Sequence, residues 1–236
     1  MGSFGFYYFD YTWFLFMVPA LIVTMAAQIG VKSTFAKYSR MRTFRGMTGA
    51  QAAEAVARFG GARVRIRQVA GSLTDNFDPR NHTISLSRDV YVSQSVAAVG
   101  VAAHEAGHAV QDAENYLPNR IRTALVPVTN IGSRASVPLI IIGLILPAQF
   151  DFLVYAGILL YGLVVLFELA TLPVEINASR RAVRALGETG ILTREELSGA
   201  KKVLTAAAMT YLAASFTALL TLLRFLVLAG SRRGDD

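Results

Sequence analysis

The 236-residue chain contains no cysteine. That absence excludes a disulfide-stapled scaffold, a thiolate zinc site, an iron–sulfur cluster and a thiol nucleophile. Charge is also scarce: Asp, Glu, Lys and Arg make up 17% of the residues, well below the share in an ordinary soluble domain. Histidine occurs three times, so a bound metal must rely on those three, on carboxylates or on water. No GxGxxG or P-loop pattern occurs, and nucleotide chemistry has no support. Nor is there any internal repeat or low-complexity tract.

What fills the chain instead is apolar: 53% of residues, with a mean hydropathy of +0.44. Residues 11–29 carry no charge and are long enough to cross a hydrocarbon core of about 30 Å. A cleaved leader is disfavoured, because residues 1–10 hold no Lys or Arg, and Phe6 stands where an acylation signal wants Ser or Thr. Residues 152–172 and 203–223 are further spanning candidates. Residues 135–150 are short and hold Pro138 and Pro147, and we read them as the first arm of a hairpin turning at 147–151. The expected fold is mainly α: a polytopic membrane protein of about four spans with a small α+β zincin-like domain. Its parts are a first span in 1–30, the polar domain in 31–134, a hairpin in 135–172, polar helices in 173–202 and a last span with its tail in 203–236.

The net charge of +7 would suggest nucleic acid in a soluble protein, but its distribution points to the membrane. Residues 30–136 hold 14 Lys and Arg and residues 173–202 hold 6, which together are 20 of 23. An even number of crossings between these segments puts both on the cytoplasmic side of the plasma (inner) membrane, with the N-terminus outside. Arg232 and Arg233 then fall on the outer side, against the trend.

Within the polar region, Thr48 and Gln51 form a capping box that opens a helix, and Gly60 and Gly61 can close it. RVRIRQV and the TISL segment around Ile84 and Leu86 alternate as short strands, with turn chemistry at Asp75, Asn76, Asp78 and Pro79. The strand near Ile84 is a candidate edge for pairing with an extended peptide. From about Ser93 a period of 3.6 begins, giving a helix of about 20 residues. Further on, Pro173 suits a first helical residue. Thr193 and Glu196 form a second capping box, whose helix can run through Lys201 and Lys202 into the last span.

That helix from Ser93 contains AAHEAGHAV, an HExxH pattern. Histidines four apart share a helix face, so His104 and His108 can reach one zinc ion while Glu105 acts on water. A catalytic zinc needs a third protein ligand. The metzincin pattern is excluded because no histidine follows His108. His82, Asp112, Glu168 and Glu175 remain, and Glu175 is preferred because it opens a helix in the same compartment as His104 and His108.

HEAGHAVQ, the upstream LTDNFDPRNHTISLS and the downstream PVEINASRRA together resemble the bacterial membrane zinc metallopeptidases of the YugP type, relatives of the HtpX-like and prenyl-protease-like gluzincins. The resemblance covers residues 30–200 and implies that Glu175 is the third zinc ligand. Where the HtpX-like relatives place Asp four residues later, this chain has Ser179. The implied reaction is peptide-bond hydrolysis, with Glu105 as general base. A ligand at Glu175, three residues past the apolar run ending at Leu172, favours membrane or membrane-proximal polypeptides as substrates. His82, Tyr91, Asn177 and Arg181 are the available oxyanion donors. Two other classes compete. A non-catalytic scaffold would use zinc as a staple and the basic stretch from Lys32 to Arg45 to hold lipid. A metal transporter would need ligands inside the spans, where only Glu168 qualifies.

Overall fold

A computed structural model describes residues 11–72 and 74–232. The N-terminal stretch read above for a leader or acyl signal, and Arg233 of the tail, lie outside the described residues. The chain runs α1 (Tyr11–Ser39), α2 (Gly49–Phe59), β1 (Arg65–Val69), β2 (Asn76–Asp78), β3 (Thr83–Ser87), α3 (Arg88–Tyr91) and α4 (Val96–Ala113). Then follow α5 (Leu117–Ile145), a 3-10 turn (Ala148–Phe150), α6 (Phe152–Glu188) and α7 (Arg194–Arg232). The fold is mainly helical, and α1, α5, α6 with its preceding turn, and α7 are each long and apolar enough to cross a membrane.

The chain divides into two compact units. The first draws on the described parts of Met1–Ala26, Ile121–Thr171 and Tyr211–Asp236. Its core is Ile140, Val154, Ile158, Phe225 and Leu228, with Tyr161 edge-on to Phe225 at 5.2 Å. Small residues let α5 and α6 approach closely: a Cβ on Gly157 would lie 2.7 Å from the Ser136 carbonyl oxygen. Thr24 and Thr217 hydroxyls pair at 3.1 Å between α1 and α7.

The second unit, Ala27–Arg120 with Leu172–Thr210, holds the sheet and α4. Both capping boxes form. Gln51 N–H donates to Thr48 Oγ1 at 3.3 Å while the Thr48 N–H donates to Gln51 Oε1 at 2.9 Å. Glu196 and Thr193 exchange the equivalent pair at 3.3 and 2.8 Å. Each box satisfies donors that a helix start otherwise leaves orphaned. The core is alanine-rich, with Ala52, Ala53, Val56 and Ala57 of α2 buried in one cluster with Val99, Ala102, Ala103 and Ala106 of α4. Ile84, Leu86, Leu186 and Leu204 join it.

Four local expectations change. The strand containing Ile84 is central: the order is β1-β3-β2, with β1 parallel and β2 antiparallel to β3, and all five β3 residues are buried. It offers no free edge, because the third strand comes from Asn76–Asp78, which by composition reads as a turn. Asp75 secures that junction by accepting from the Ser87 N–H at 2.8 Å and its hydroxyl at 3.1 Å. The helix holding residues 135–145 starts at Leu117, since Pro118 sits in a first turn where its missing N–H needs no partner. Finally, Pro173 does not open a helix. It lies inside the continuous α6, where it removes one backbone hydrogen bond, and apolar helices of this kind tolerate such a loss.

Candidate metal centre

Ser95 starts α4, its hydroxyl accepting the Ala98 N–H at 3.2 Å. Two turns later His104 and His108 lie on one face, their rings edge-on at 4.7 Å. From α6 comes Glu175, 2% exposed. Its Oε2 stands 3.2 Å from His104 Nε2 and 3.4 Å from His108 Nε2, and the two Nε2 atoms are 3.2 Å apart. Among the described residues, His104, His108 and Glu175 form a group that could hold a metal ion.

The spacing fits zinc. Tetrahedral ligands at Zn–N and Zn–O distances of 2.0–2.1 Å are separated by about 3.3–3.4 Å, which is the triangle these atoms make. Donor chemistry agrees as well, because the partners behind the rings set the tautomers. Gln111 is fully buried, and its Nε2 donates to the Val174 carbonyl at 2.8 Å and to Asn177 Oδ1 at 2.9 Å. Its Oε1 is left to accept from His108 Nδ1 at 3.1 Å, so in the neutral ring the His108 Nε2 lone pair is the one available to a metal. The Ser179 hydroxyl lies 3.1 Å from His104 Nδ1, behind the ring. Gln111 was missed in the sequence, although its place three residues after His108 on the same helix was the available signal.

Close approach of α4 to α6 depends on Gly107. A Cβ there would stand 2.5 Å from the Ala178 carbonyl oxygen and 3.1 Å from its carbon, so only glycine fits. Beyond the triangle, Arg181 Nε donates to Asn177 Oδ1 at 2.7 Å and Arg181 Nη2 pairs with Glu114 at 2.8 Å. The Arg181 bond holds the Glu114 carboxyl below its ordinary value, against a smaller desolvation effect. Asn177 and Arg181 are thus engaged in the network behind His108.

Glu105, also on α4, is 8% exposed. Burial raises its carboxyl above the ordinary 4.5, and the nearby histidines offset this only in part. For His108, burial lowers the imidazole, but the hydrogen bond to Glu175 and the charges of Glu175 and Glu105 outweigh it, and the net direction is up. The remaining sequence candidates lie elsewhere. His82 Nδ1 and Asp112 pair with each other at 3.4 Å, and Tyr91 packs against the polar unit's core. Glu168 belongs to the other unit.

An HExxH helix held against a second helix that supplies a glutamate is the arrangement of a zinc metallopeptidase. The chain belongs to the family described as "Putative neutral zinc metallopeptidase", whose pattern matches residues 13–230, and zinc is therefore its metal. It is similar to the "Putative membrane protease YugP" of Bacillus subtilis (strain 168), at 40% identity over 225 residues, covering 94% of this chain and 99% of that protein. No solved structure matches.

Proposed function

We propose that the protein is a membrane-integrated zinc metalloendopeptidase in which His104, His108 and Glu175 hold the metal and Glu105 is the general base. The observation that carries this is the triangle of 3.2, 3.2 and 3.4 Å between the three ligand atoms, with a buried carboxylate adjacent in the same helix. Zinc with three protein ligands supplies a Lewis acid and brings the ionisation of water toward neutrality. Gln111 keeps the His108 Nε2 lone pair turned inward, the Ser179 hydroxyl can accept from His104 Nδ1 and leave its Nε2 free in the same way, and Glu175 adds the negative charge that two imidazoles lack. Glu105 takes the proton of the attacking water and returns it to the leaving amine. Its burial favours the protonated form, which suits the second of these steps.

The substrate is polypeptide, and we infer that it is membrane-embedded or membrane-proximal. α6 runs unbroken from its apolar stretch through Leu172 to Glu175, and three residues at 1.5 Å each place the ligand only about 5 Å further along the axis. The concentration of 20 of 23 basic residues in two segments supports a cytoplasmic site.

Glu105→Gln tests the reading. The variant should retain about one zinc per chain while peptide cleavage falls by roughly 10²–10⁴-fold. Cleavage equal to wild type removes the enzyme and leaves a scaffold with a structural zinc.

A further inference from the structure

Between the end of α1 and the start of α7 lies a groove of about 560 Å³, entirely within the second unit and apart from the metal centre. Three lysines, Lys37, Lys201 and Lys202, line it together with the hydroxyls of Thr34, Ser198 and Thr205. We propose that this groove binds the phosphate of an anionic phospholipid headgroup. The proposal rests on the four-span reading and is independent of peptidase chemistry.

Three observations point there. The first is charge: among the described residues, no carboxylate lies within ion-pair distance of any of the three lysines. Three ammonium groups and three hydroxyls gathered without a counter-charge are complementary to a phosphate, whose oxygens accept from both kinds of donor. The second is the frame. The Tyr38 ring packs on Gly199 so tightly that a Cβ there would meet Tyr38 Cε1 at 2.7 Å. A ring seated on glycine backbone thus sets the spacing of the two helices that carry the lysines.

The third observation is depth, and it favours lipid over soluble phosphate. Lys202 immediately precedes the uncharged run 203–223, and Ser198 lies five residues before Val203, about 7.5 Å along the axis. On α1, Thr34 lies the same five residues past Ile29, where the uncharged run 11–29 ends. The headgroup region on each side of a bilayer is about 5–8 Å deep, so the two walls of the groove meet at that level. Basic pockets between helices at this depth are where headgroups are recognised.

The test uses the full chain in nanodiscs, with labelled phosphatidylglycerol and phosphatidylcholine as probes. Wild type should retain phosphatidylglycerol at least about tenfold better, since each lysine near the surface contributes about fivefold. K37Q/K201Q/K202Q should bring retention to the phosphatidylcholine level, while zinc content equal to wild type reports an intact fold. K37R/K201R/K202R should keep the preference. K32Q/R40Q/R45Q, which removes the same charge from exposed positions outside the groove, should keep most of it. Equal loss in both glutamine triples means diffuse attraction and overturns the site, as does a wild type without preference. Displacement by millimolar inorganic phosphate overturns the lipid assignment in favour of a soluble anion.

Discussion

Gly107→Ala adds one methyl group at the point where α4 and α6 touch, between His104 and His108 on one side and Glu175 and Ser179 on the other. The new Cβ would stand 2.5 Å from the Ala178 carbonyl oxygen, 3.1 Å from its carbon and 3.2 Å from its Cα. All three are backbone atoms of a long helix, so relief requires the helices to separate by roughly 0.9 Å, enough to restore an ordinary contact. A zinc site accepts ligand displacements of about 0.2 Å. The triangle of 3.2–3.4 Å would open on the Glu175 side only, because the two histidines share α4. Overpacking of this kind costs about 1–3 kcal/mol in stability. The expected outcome is a folded, less stable protein with sharply weakened zinc retention on dialysis against a chelator. Gly100→Ala is the control: it lies on the same helix, where its Cβ would meet Ala200 Cβ at 3.4 Å, an ordinary contact. Equal zinc retention and stability in the two variants would refute the claim that α4 and α6 are held at glycine distance to form the site.

Three further outcomes are open to measurement. Glu175→Ala should lose zinc under conditions where His82→Ala and Asp112→Ala retain it, because His82 and Asp112 face each other and not the triangle; the reverse pattern would move the third ligand to the His82–Asp112 pair. In the metal-free protein Glu105 has a raised carboxyl, so its contribution to stability is complete below 4.5 and is lost as pH rises through the folded value. Glu105→Gln should therefore raise the Tm of the metal-free protein at pH 7 and not at pH 4, and an equal shift at both would contradict the burial argument. Single cysteines at Ser39 and Glu188 should resist an impermeant thiol reagent in intact cells while one at Gln149 is labelled, and labelling at Glu188 alone would break the even count of crossings.

Local chemistry was the readable part of the sequence. The Thr48–Gln51 and Thr193–Glu196 boxes and the HExxH helix depend on partners three or four residues apart, so their geometry follows once a helix forms. Non-local packing was harder to read. Asn76 and Asp78 are turn formers by composition and become strand only because β3 offers them an antiparallel partner. Pro173 starts helices in water, yet α6 continues through it because the apolar turns before it have no better way to satisfy their backbone. Arg120, Arg122 and Pro127 mask the first half of α5 from a hydropathy reading, although none of them prevents helix formation. In the centre, Glu175 could be approached by chemistry and resemblance. Gln111 offered only its spacing from His108, and the orientation of its amide depends on where the Val174 carbonyl and Asn177 come to rest.

The proposed ligands are divided between α4 and α6, with Glu175 standing 71 positions after His104, and α5 lies within that interval. At a synthesis rate of about 5–20 residues per second, the ribosome needs roughly 4–14 s to pass from one to the other. During that interval the HExxH helix exists without its carboxylate partner. A nascent chain, or one truncated before α6, therefore carries the peptidase signature without a complete metal centre. With the proposed ligand set, latency during biogenesis follows from ligand order along the chain.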